Sequence, residues 1–160
     1  MKPLEGNVTE RLSVPAGELF DLISNVHRLP EWNEHIHHVV EAPDGETHPG
    51  DEWVVEIRAM ASHRNSRSRI ENVDREAGRF ALMSQTDDGN PSYAKWEWLV
   101  TPANGQSDVR VSWQIYPKTF WRKFLLSRIR HRQLKEEVRG SLREAERAAT
   151  VPGVGLSRSA

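Results

Sequence analysis

The sequence predicts an α+β fold in which a curved, seven-stranded antiparallel sheet wraps around a long C-terminal helix, with two short helices between strands 1 and 2. Three observations lead to this prediction. An alternating segment near the N-terminus is followed by two short helical patterns. A series of alternating runs separated by turn residues fills the middle of the chain, and one long amphipathic pattern ends it.

The first strand and the two short helices follow from local patterns. Residues 7–14 alternate side chains as a strand with one wet face does, with one set consisting of Val8, Glu10, Leu12 and Val14. Residues 15–26 carry apolar side chains at helical spacing, and Pro15 suits a first helical turn. Residues 29–32 begin a second, very short helix with Pro30 in its first turn.

The middle of the chain has the pattern of an antiparallel meander. Clusters of Gly, Pro, Asn and Asp recur between runs that are rich in Val, Ile, Trp and Phe and that alternate with a period of two. The six strands predicted here span residues 35–41, 52–60, 64–73, 79–86, 93–101 and 109–116.

The last element is predicted to be one long helix over residues 119–148. Its apolar stripe consists of Phe120, Phe124, His131, Val138, Leu142, Ala145 and Ala149, with Leu134 at the margin. Only this helix is long enough to cover the concave face of the sheet, and a sheet that curls around it without filling the gap leaves a cavity. We expect a single domain over residues 4–149 and a disordered tail over residues 150–160.

Composition excludes several classes of protein. The chain of 160 residues has no Cys, which removes disulfides, thiolate metal sites and Cys nucleophiles. No run approaches the roughly 18 apolar residues of a membrane helix, and the N-terminus lacks the apolar stretch of a secretory signal. A formal net charge of -1 gives no reason to expect nucleic acid as a partner. We therefore expect a cytoplasmic protein.

The segment from Val14 to Trp32 resembles the opening of the START-like (SRPBCC) helix-grip superfamily, and polyketide cyclase/dehydrase proteins in particular. The resemblance rests on Val14-Pro15-Ala16, on residues 19–26 and on Leu29-Pro30-Glu31-Trp32, and it extends by order of elements over residues 4–149. The superfamily also includes the Bet v 1-like plant allergens and the START lipid-transfer domains. The resemblance implies a helix-grip fold whose cavity holds a hydrophobic or amphipathic small molecule; some members are aromatases or cyclases.

Alternation predicts which side chains line such a cavity. Four tryptophans point inward, and Ser66 and Ser68 form a polar notch that could accept hydrogen bonds from their indole N–H groups. The tryptophans could either fill the core or line the cavity. The ligand-binding candidates are Trp53, Val55, Ile57, Ser66, Ser68, Trp96, Trp98, Val111, Trp113, Phe124 and His131.

His131 is the polar member of the apolar stripe on the last helix. It could be a core histidine with satisfied hydrogen bonds, or it could contact the ligand and transfer a proton, because imidazole titrates near neutral pH. It is the catalytic candidate among the inward residues. No Asp or Glu is expected on an inward face, which weakens an enzymatic interpretation.

Two further groups of residues bear on whether the chain has a metal site or a cyclase-type active site. His35 and His37 are expected on one face of a strand, but two ligands do not make a metal site, and we expect neither a metal nor a cofactor. Cyclases of the resembled family use an Arg with Tyr or hydroxyl groups. Alternation places the corresponding residue types here on the outer face, namely Arg67, Arg69, Tyr93 and Tyr116.

Three hypotheses for function follow. The first is binding of a hydrophobic or aromatic small molecule, such as a lipid or polyketide, between sheet and helix. The alternative is a polyketide cyclase, aromatase or dehydratase that acts in the same cavity. In the third, the basic helix 118–147 and its aromatic start make peripheral contact with a membrane or dock a partner. The sequence does not predict the oligomeric state.

Overall fold

The expected order of elements is confirmed. The computed structural model describes residues 3–59, 62–87, 89, 91–118 and 129–150. Its strands are β1 (Leu4–Leu12), β2 (Ile36–Glu41), β3 (Glu52–Ala59), β4 (Ser62–Asp74), β5 (Arg79–Thr86), β6 (Tyr93–Ala103) and β7 (Gln106–Tyr116). Its helices are α1 (Ala16–Ser24), a 3-10 helix (Val26–Arg28), α2 (Leu29–Trp32) and α3 (Ile129–Thr150).

Within the described residues the strands form one antiparallel sheet in the order β1-β7-β6-β5-β4-β3-β2. Strands β2 to β7 follow one another as a meander, and β1 pairs with β7 along its whole length, from Leu4↔Ile115 to Leu12↔Ser107. β1 begins before the predicted residue 7 because β7 offers backbone partners that far. Gly6 lowers the strand propensity of this segment, so the sequence alone does not indicate the longer strand.

The hairpin between β6 and β7 is closed by two residues with left-handed backbone. Ala103 and Gln106 are register partners, and Asn104 and Gly105 between them have φ values of 53° and 80°. An Asn-Gly pair with both φ angles positive is the type I′ turn that matches the twist of the flanking strands. This turn sets the register of β7 and therefore decides which of its side chains face the helix.

The predicted helix over residues 15–26 is divided in the structure. α1 ends at Ser24, whose hydroxyl donates to the carbonyl oxygen of Phe20 at 2.7 Å. The Asn25 side chain then accepts a hydrogen bond from the backbone N–H of His27 at 3.0 Å, which caps the 3-10 helix. Asn favours such local hydrogen bonds over continuing a helix, and this is the reason for the break.

The helices cover one end of the concave face. α1 packs against β6 and β7, and α3 packs against β1, α1 and α2. The buried core at this end includes Leu19, Ile23, Trp32, Val100, Val109, Leu142 and Ala145. The C-terminal half of α3 therefore anchors the helix against this core.

The apolar stripe predicted for the last helix is confirmed within α3. Leu142 and Ala145 are buried, and His131, Leu134 and Val138 are half-buried. Residues 119–128 of the predicted helix, including the candidate Phe124, lie outside the described residues. In the part of the chain that the structure describes, no helix has both the length and the apolar character needed to cross a bilayer.

Candidate functional site

The concave face of the sheet carries the side chains that alternation assigned to it. Across β3, β4 and β5, Trp53 pairs with Ser68 and Ser68 with Ser84. Across β6 and β7, Trp96 pairs with Trp113, and Trp98 pairs with Val111. The predicted placement of the candidates on β3, β4, β6 and β7 is thus confirmed, and the sheet brings them onto one surface.

Aromatic rings form a continuous row along this face. The ring centroids of Trp53 and Phe80 are 5.8 Å apart, those of Phe80 and Trp98 5.7 Å, and those of Trp98 and Trp96 6.1 Å. The row continues from Trp96 to Trp113 at 5.8 Å and reaches the His131 ring of α3 at 6.4 Å. These separations lie in the range in which aromatic rings attract one another, so the row holds its members in place.

The row is buried at its ends and open in its middle. Trp53 and Trp113 are 1% and 2% exposed, whereas Trp96 and Trp98 are half-buried although they lie on the inner face of central strands. Ile57, Ala94 and Ile115 on the same face are half-buried as well. Side chains that fill a packed core are buried on all sides, whereas the described residues leave these side chains partly accessible.

A strip of hydroxyl groups lies beside the row. Ser66 and Ser68 of β4 are each 7% exposed and pair with Thr86 and Ser84 of β5. The Ser66 hydroxyl donates to the Gln85 carbonyl oxygen at 3.5 Å, which is a weak hydrogen bond. The neighbouring residues Trp53, Val55, Leu82 and Ala94 on this face are apolar, so the strip adds a polar patch to this part of the concave surface.

The expected hydrogen bond from an inward indole to Ser66 or Ser68 is not formed by Trp113. Its Nε1 is buried without a hydrogen-bond partner among the described residues. The reason lies in the strand order, because β5 and β6 separate the serines on β4 from Trp113 on β7. An unsatisfied buried N–H costs free energy unless a bound molecule accepts from it.

One carboxylate departs from the expectation that none lies on an inward face. Glu10 shares the face of Val8 and Leu12 on β1, and its Oε1 lies 3.2 Å from the Arg139 Nε of α3. The guanidinium neutralises this carboxylate and joins β1 to the helix. Glu10 is therefore engaged in an ion pair with the helix.

Phe80 and Ser84 also contribute to the concave face, although neither is among the candidates predicted by sequence. Both lie on β5, whose residues 79–86 alternate in the same way as those of β3 and β6. Phe80 is 1% exposed and joins Trp53 to Trp98 in the aromatic row. The alternation of β5 is the sequence signal that identifies both residues.

The outer face carries Arg67, Tyr93 and Tyr116, residue types that the family resemblance associates with cyclase chemistry in the cavity. Arg67 Nη1 lies 3.5 Å from the Glu52 carboxylate. Tyr93 and Tyr116 are register partners that stack at 4.5 Å on the face of Lys95. Their predicted outward orientation is confirmed. Arg64 pairs with Ile57, which places it on the concave face at the exposed end of β4.

An open groove of about 250 Å³ also lies on the outer face. Its lining consists of Glu71, Ala81, Lys95, Trp96, Glu97, Ser112, Trp113 and Gln114, and Lys95 Nζ lies 3.7 Å from Glu71 Oε1. Five of these eight residues are charged or polar, and an open groove of that composition does not favour an apolar ligand. The concave face is therefore the better candidate site for a hydrophobic molecule.

The expectation that His35 and His37 share one strand face is wrong. The register between β2 and β3 shifts between Ile36 and His38, and this irregularity brings His37 to the side of His38. His35 instead lies toward α3, with its Nε2 3.6 Å from Glu137 Oε2. His37, His38 and Glu56 place potential metal ligands within 4.8 Å of one another on the outer face.

A family model described as polyketide cyclase / dehydrase and lipid transport matches residues 5–150. No curated protein matches the sequence.

Solved structures share the fold at low sequence identity. TTHA0849 from Thermus thermophilus is 15% identical, with a TM-score of 0.75 over 93% of this chain and 99% of the other. The Zhui aromatase/cyclase from Streptomyces sp. R1128 is 13% identical, with a TM-score of 0.73 over 94% and 98%. Ara h 8.0201 is 15% identical, with a TM-score of 0.70 over 92% and 98%. At these identities the likeness establishes the helix-grip fold and no particular reaction.

Proposed function

This chain belongs to the polyketide cyclase / dehydrase and lipid transport family, and we propose that it binds a hydrophobic or aromatic small molecule between its sheet and α3. The observation that carries the proposal is the partial exposure of Trp96 and Trp98 in an aromatic row whose other two tryptophans, Trp53 and Trp113, are buried. Large aromatic side chains left open on a concave inner surface are what a ligand of similar chemistry covers.

The arrangement of polar groups supports an amphipathic ligand with a defined orientation. The apolar or aromatic body would lie against Trp96 and Trp98, and a hydroxyl or carbonyl group would reach Ser66, Ser68 or Ser84. These serines lie on β4 and β5, at one side of the aromatic row. A few polar groups on an apolar wall give a pocket its specificity. A ligand that covers these groups without hydrogen-bonding to them binds more weakly, because their lost contacts with water are not replaced.

The remaining candidates have supporting roles in this proposal. Trp53, Val55, Val111 and Trp113 would form the floor of the site, since each is 4% exposed or less. Ile57 would lie toward its open end, and His131 would face the ligand from the helix side. Trp113 Nε1 would gain an acceptor if the ligand carries one.

A second candidate function is cyclase, aromatase or dehydratase chemistry on a polyketide-like substrate. The observation that favours it is the position of His131, half-buried on the inner side of α3 with its ring 6.4 Å from Trp113. The Zhui protein, which shares the fold, is an aromatase/cyclase. His131 would exchange a proton with the substrate, because imidazole can act as acid or base near neutral pH. The outward Tyr93 and Tyr116 give it no phenol partner.

Binding is tested with the protein as purified and with a fluorescent apolar probe. Native mass spectrometry would show a mass excess that disappears on denaturation if a small molecule co-purifies. Titration with 8-anilinonaphthalene-1-sulfonate should give saturable binding that weakens about tenfold in Trp98→Ala, because the variant loses stacking area. Tyr93→Ala is the matched control, since this ring lies on the outer face of the same strand.

The proposal fails if the protein carries no small molecule and the probe binds wild type and Trp98→Ala equally. The enzymatic candidate is tested separately with a synthetic poly-β-ketone thioester and product analysis by mass spectrometry. His131→Gln should then abolish turnover while probe binding stays within a few-fold of wild type. Turnover that survives this substitution excludes His131 as the acid or base.

A further inference from the structure

Three imidazoles and one carboxylate gather on the outer face of the sheet, on the opposite side from the proposed cavity. They are His37 and His38 on β2, Glu56 on β3 and His63 on β4. The His37 ring lies 5.6 Å from that of His38 and 5.3 Å from that of His63. Glu56 Oε1 lies 3.7 Å from His38 Nδ1 and 2.9 Å from His63 Nδ1. We name these four residues the histidine cluster.

A β-bulge creates the first half of the cluster. Adjacent residues of a regular strand point to opposite faces, so His37 and His38 could not otherwise meet. Here Ile36 pairs with Ile57 and His38 pairs with Glu56, which leaves His37 as the extra residue of β2. Because His37 is this extra residue, its side chain lies on the same face as that of His38, close to Glu56.

The β3–β4 hairpin supplies the second half. Glu56 pairs with Asn65, and His63 pairs with Arg58. Arg58 is the next residue of β3 after Glu56 whose side chain points to the outer face. His63 therefore approaches Glu56 diagonally and hydrogen-bonds to its carboxylate. This hydrogen bond is the main cause of the lowered pKa of Glu56, and the charge of His38 adds to it, while partial burial acts in the opposite direction. The Glu56 carboxylate is thus held beside the imidazoles of both His38 and His63.

We propose that His37, His38 and Glu56 bind a divalent transition-metal ion, with Zn²⁺ as the fitting ion, and that His63 orients the Glu56 carboxylate. The potential ligand atoms already lie within 4.8 Å of one another. Tetrahedral zinc with bonds of about 2.0–2.1 Å brings its ligands to roughly 3.3 Å, so modest rotations of exposed side chains suffice. Water would complete the coordination.

The two imidazole ligands favour borderline transition-metal ions over the harder cations. Imidazole nitrogen suits Zn²⁺, Ni²⁺ and Cu²⁺, whereas Mg²⁺ and Ca²⁺ prefer oxygen ligands. A hydrogen bond to a ligating carboxylate, as from His63 to Glu56 here, fixes the orientation of the ligand. Loss of the residue that donates such a hydrogen bond typically lowers metal affinity about 10- to 100-fold. A bound ion would join the edge strand β2 to β3, and through His63 to β4.

The site is tested by isothermal titration of the full chain, free of any histidine tag, with ZnCl₂. We expect one Zn²⁺ per chain. Glu56→Gln and His38→Gln should each reduce the affinity at least about 100-fold, because each removes one of three protein ligands, and His63→Gln should reduce it about tenfold. His48→Gln is the matched control, because His48 is also exposed and lies 4.0 Å from a different carboxylate, Asp51.

A second measurement separates metal binding from effects on folding. Zn²⁺ that binds only the folded chain raises its Tm, so the increase should appear in wild type and His48→Gln and disappear in Glu56→Gln. Far-UV circular dichroism establishes that each variant is folded before titration. The proposal is wrong if wild type binds no Zn²⁺ at millimolar ZnCl₂, or if Glu56→Gln and His38→Gln bind it as tightly as wild type does. Failure of the cavity proposal would leave this result unaffected.

Discussion

Gly6 lies directly against the indole of Trp113. The two residues are register partners on β1 and β7, and a Cβ atom on Gly6 would lie 2.7 Å from Trp113 Nε1. Trp113 is 2% exposed and has Trp96 and His131 as aromatic neighbours. The lack of a side chain at Gly6 therefore lets the large ring lie flat over the backbone of β1 at the end of the aromatic row.

Gly6→Ala should destabilise the protein. The added methyl group overlaps a buried ring that is packed on its other sides, and overpacking of this kind costs about 1–3 kcal/mol. The control is Gly140→Ala in α3, where a Cβ atom meets nothing within 4 Å. Replacing a glycine inside a helix should stabilise by about 0.5–1 kcal/mol, so urea unfolding should move the two variants in opposite directions. Equal stability of Gly6→Ala and wild type would contradict the packing described here.

Ser107→Ala should leave a buried carbonyl unsatisfied. The Ser107 hydroxyl is fully buried and donates to the Val14 carbonyl oxygen, which joins β7 to the segment before α1. Removing the donor costs about 1–3 kcal/mol, because the acceptor loses its partner without regaining water. Ser112→Ala, on the outer face of the same strand, should change the free energy of unfolding by less than about 0.5 kcal/mol. Chemical denaturation of both variants checks the difference.

Replacing a leucine by alanine should have different effects in the two halves of α3. Leu142 is 1% exposed and anchors the helix, so Leu142→Ala should cost about 2–5 kcal/mol. Leu134 is half-buried nearer the proposed cavity, so Leu134→Ala should cost clearly less and should alter probe binding instead. Parallel urea unfolding and probe titrations measure both effects. A larger loss of stability in Leu134→Ala than in Leu142→Ala would contradict the conclusion that the C-terminal half of α3 anchors the helix.

Asp108 should titrate below the ordinary range for Asp. Arg11 donates two hydrogen bonds to its carboxylate, at 2.9 and 3.1 Å, and these together with the charge of Arg11 lower the pKa of Asp108. Arg11→Gln should raise that pKa toward the ordinary value for Asp, as carboxyl carbon NMR titration would measure. A folded-state pKa below the unfolded value stabilises above the unfolded value. The stability difference between wild type and Arg11→Gln should therefore vanish as the pH falls through the pKa of Asp108.

The sequence was sufficient to predict which face of most strands turns inward. Alternation is a local property: once Lys95 and Glu97 are assigned to water, Trp96 and Trp98 must point the other way. The same argument correctly placed Ser66 and Ser68 inside and Tyr93 and Tyr116 outside. It failed at His37, because a bulge is defined by the register of the partner strand and leaves no mark in the local pattern.

The sequence by itself determined the order of the elements, the faces of the strands and the apolar stripe of the last helix, because each depends on side chains a few positions apart. Only the tertiary structure decided which residues meet across strands. His63 reaches Glu56, Gly6 lies against Trp113, and Ser107 bonds to Val14. Periodicity reports the direction of a side chain but not its neighbour, and the neighbour is set by register and strand order, which are properties of the whole sheet.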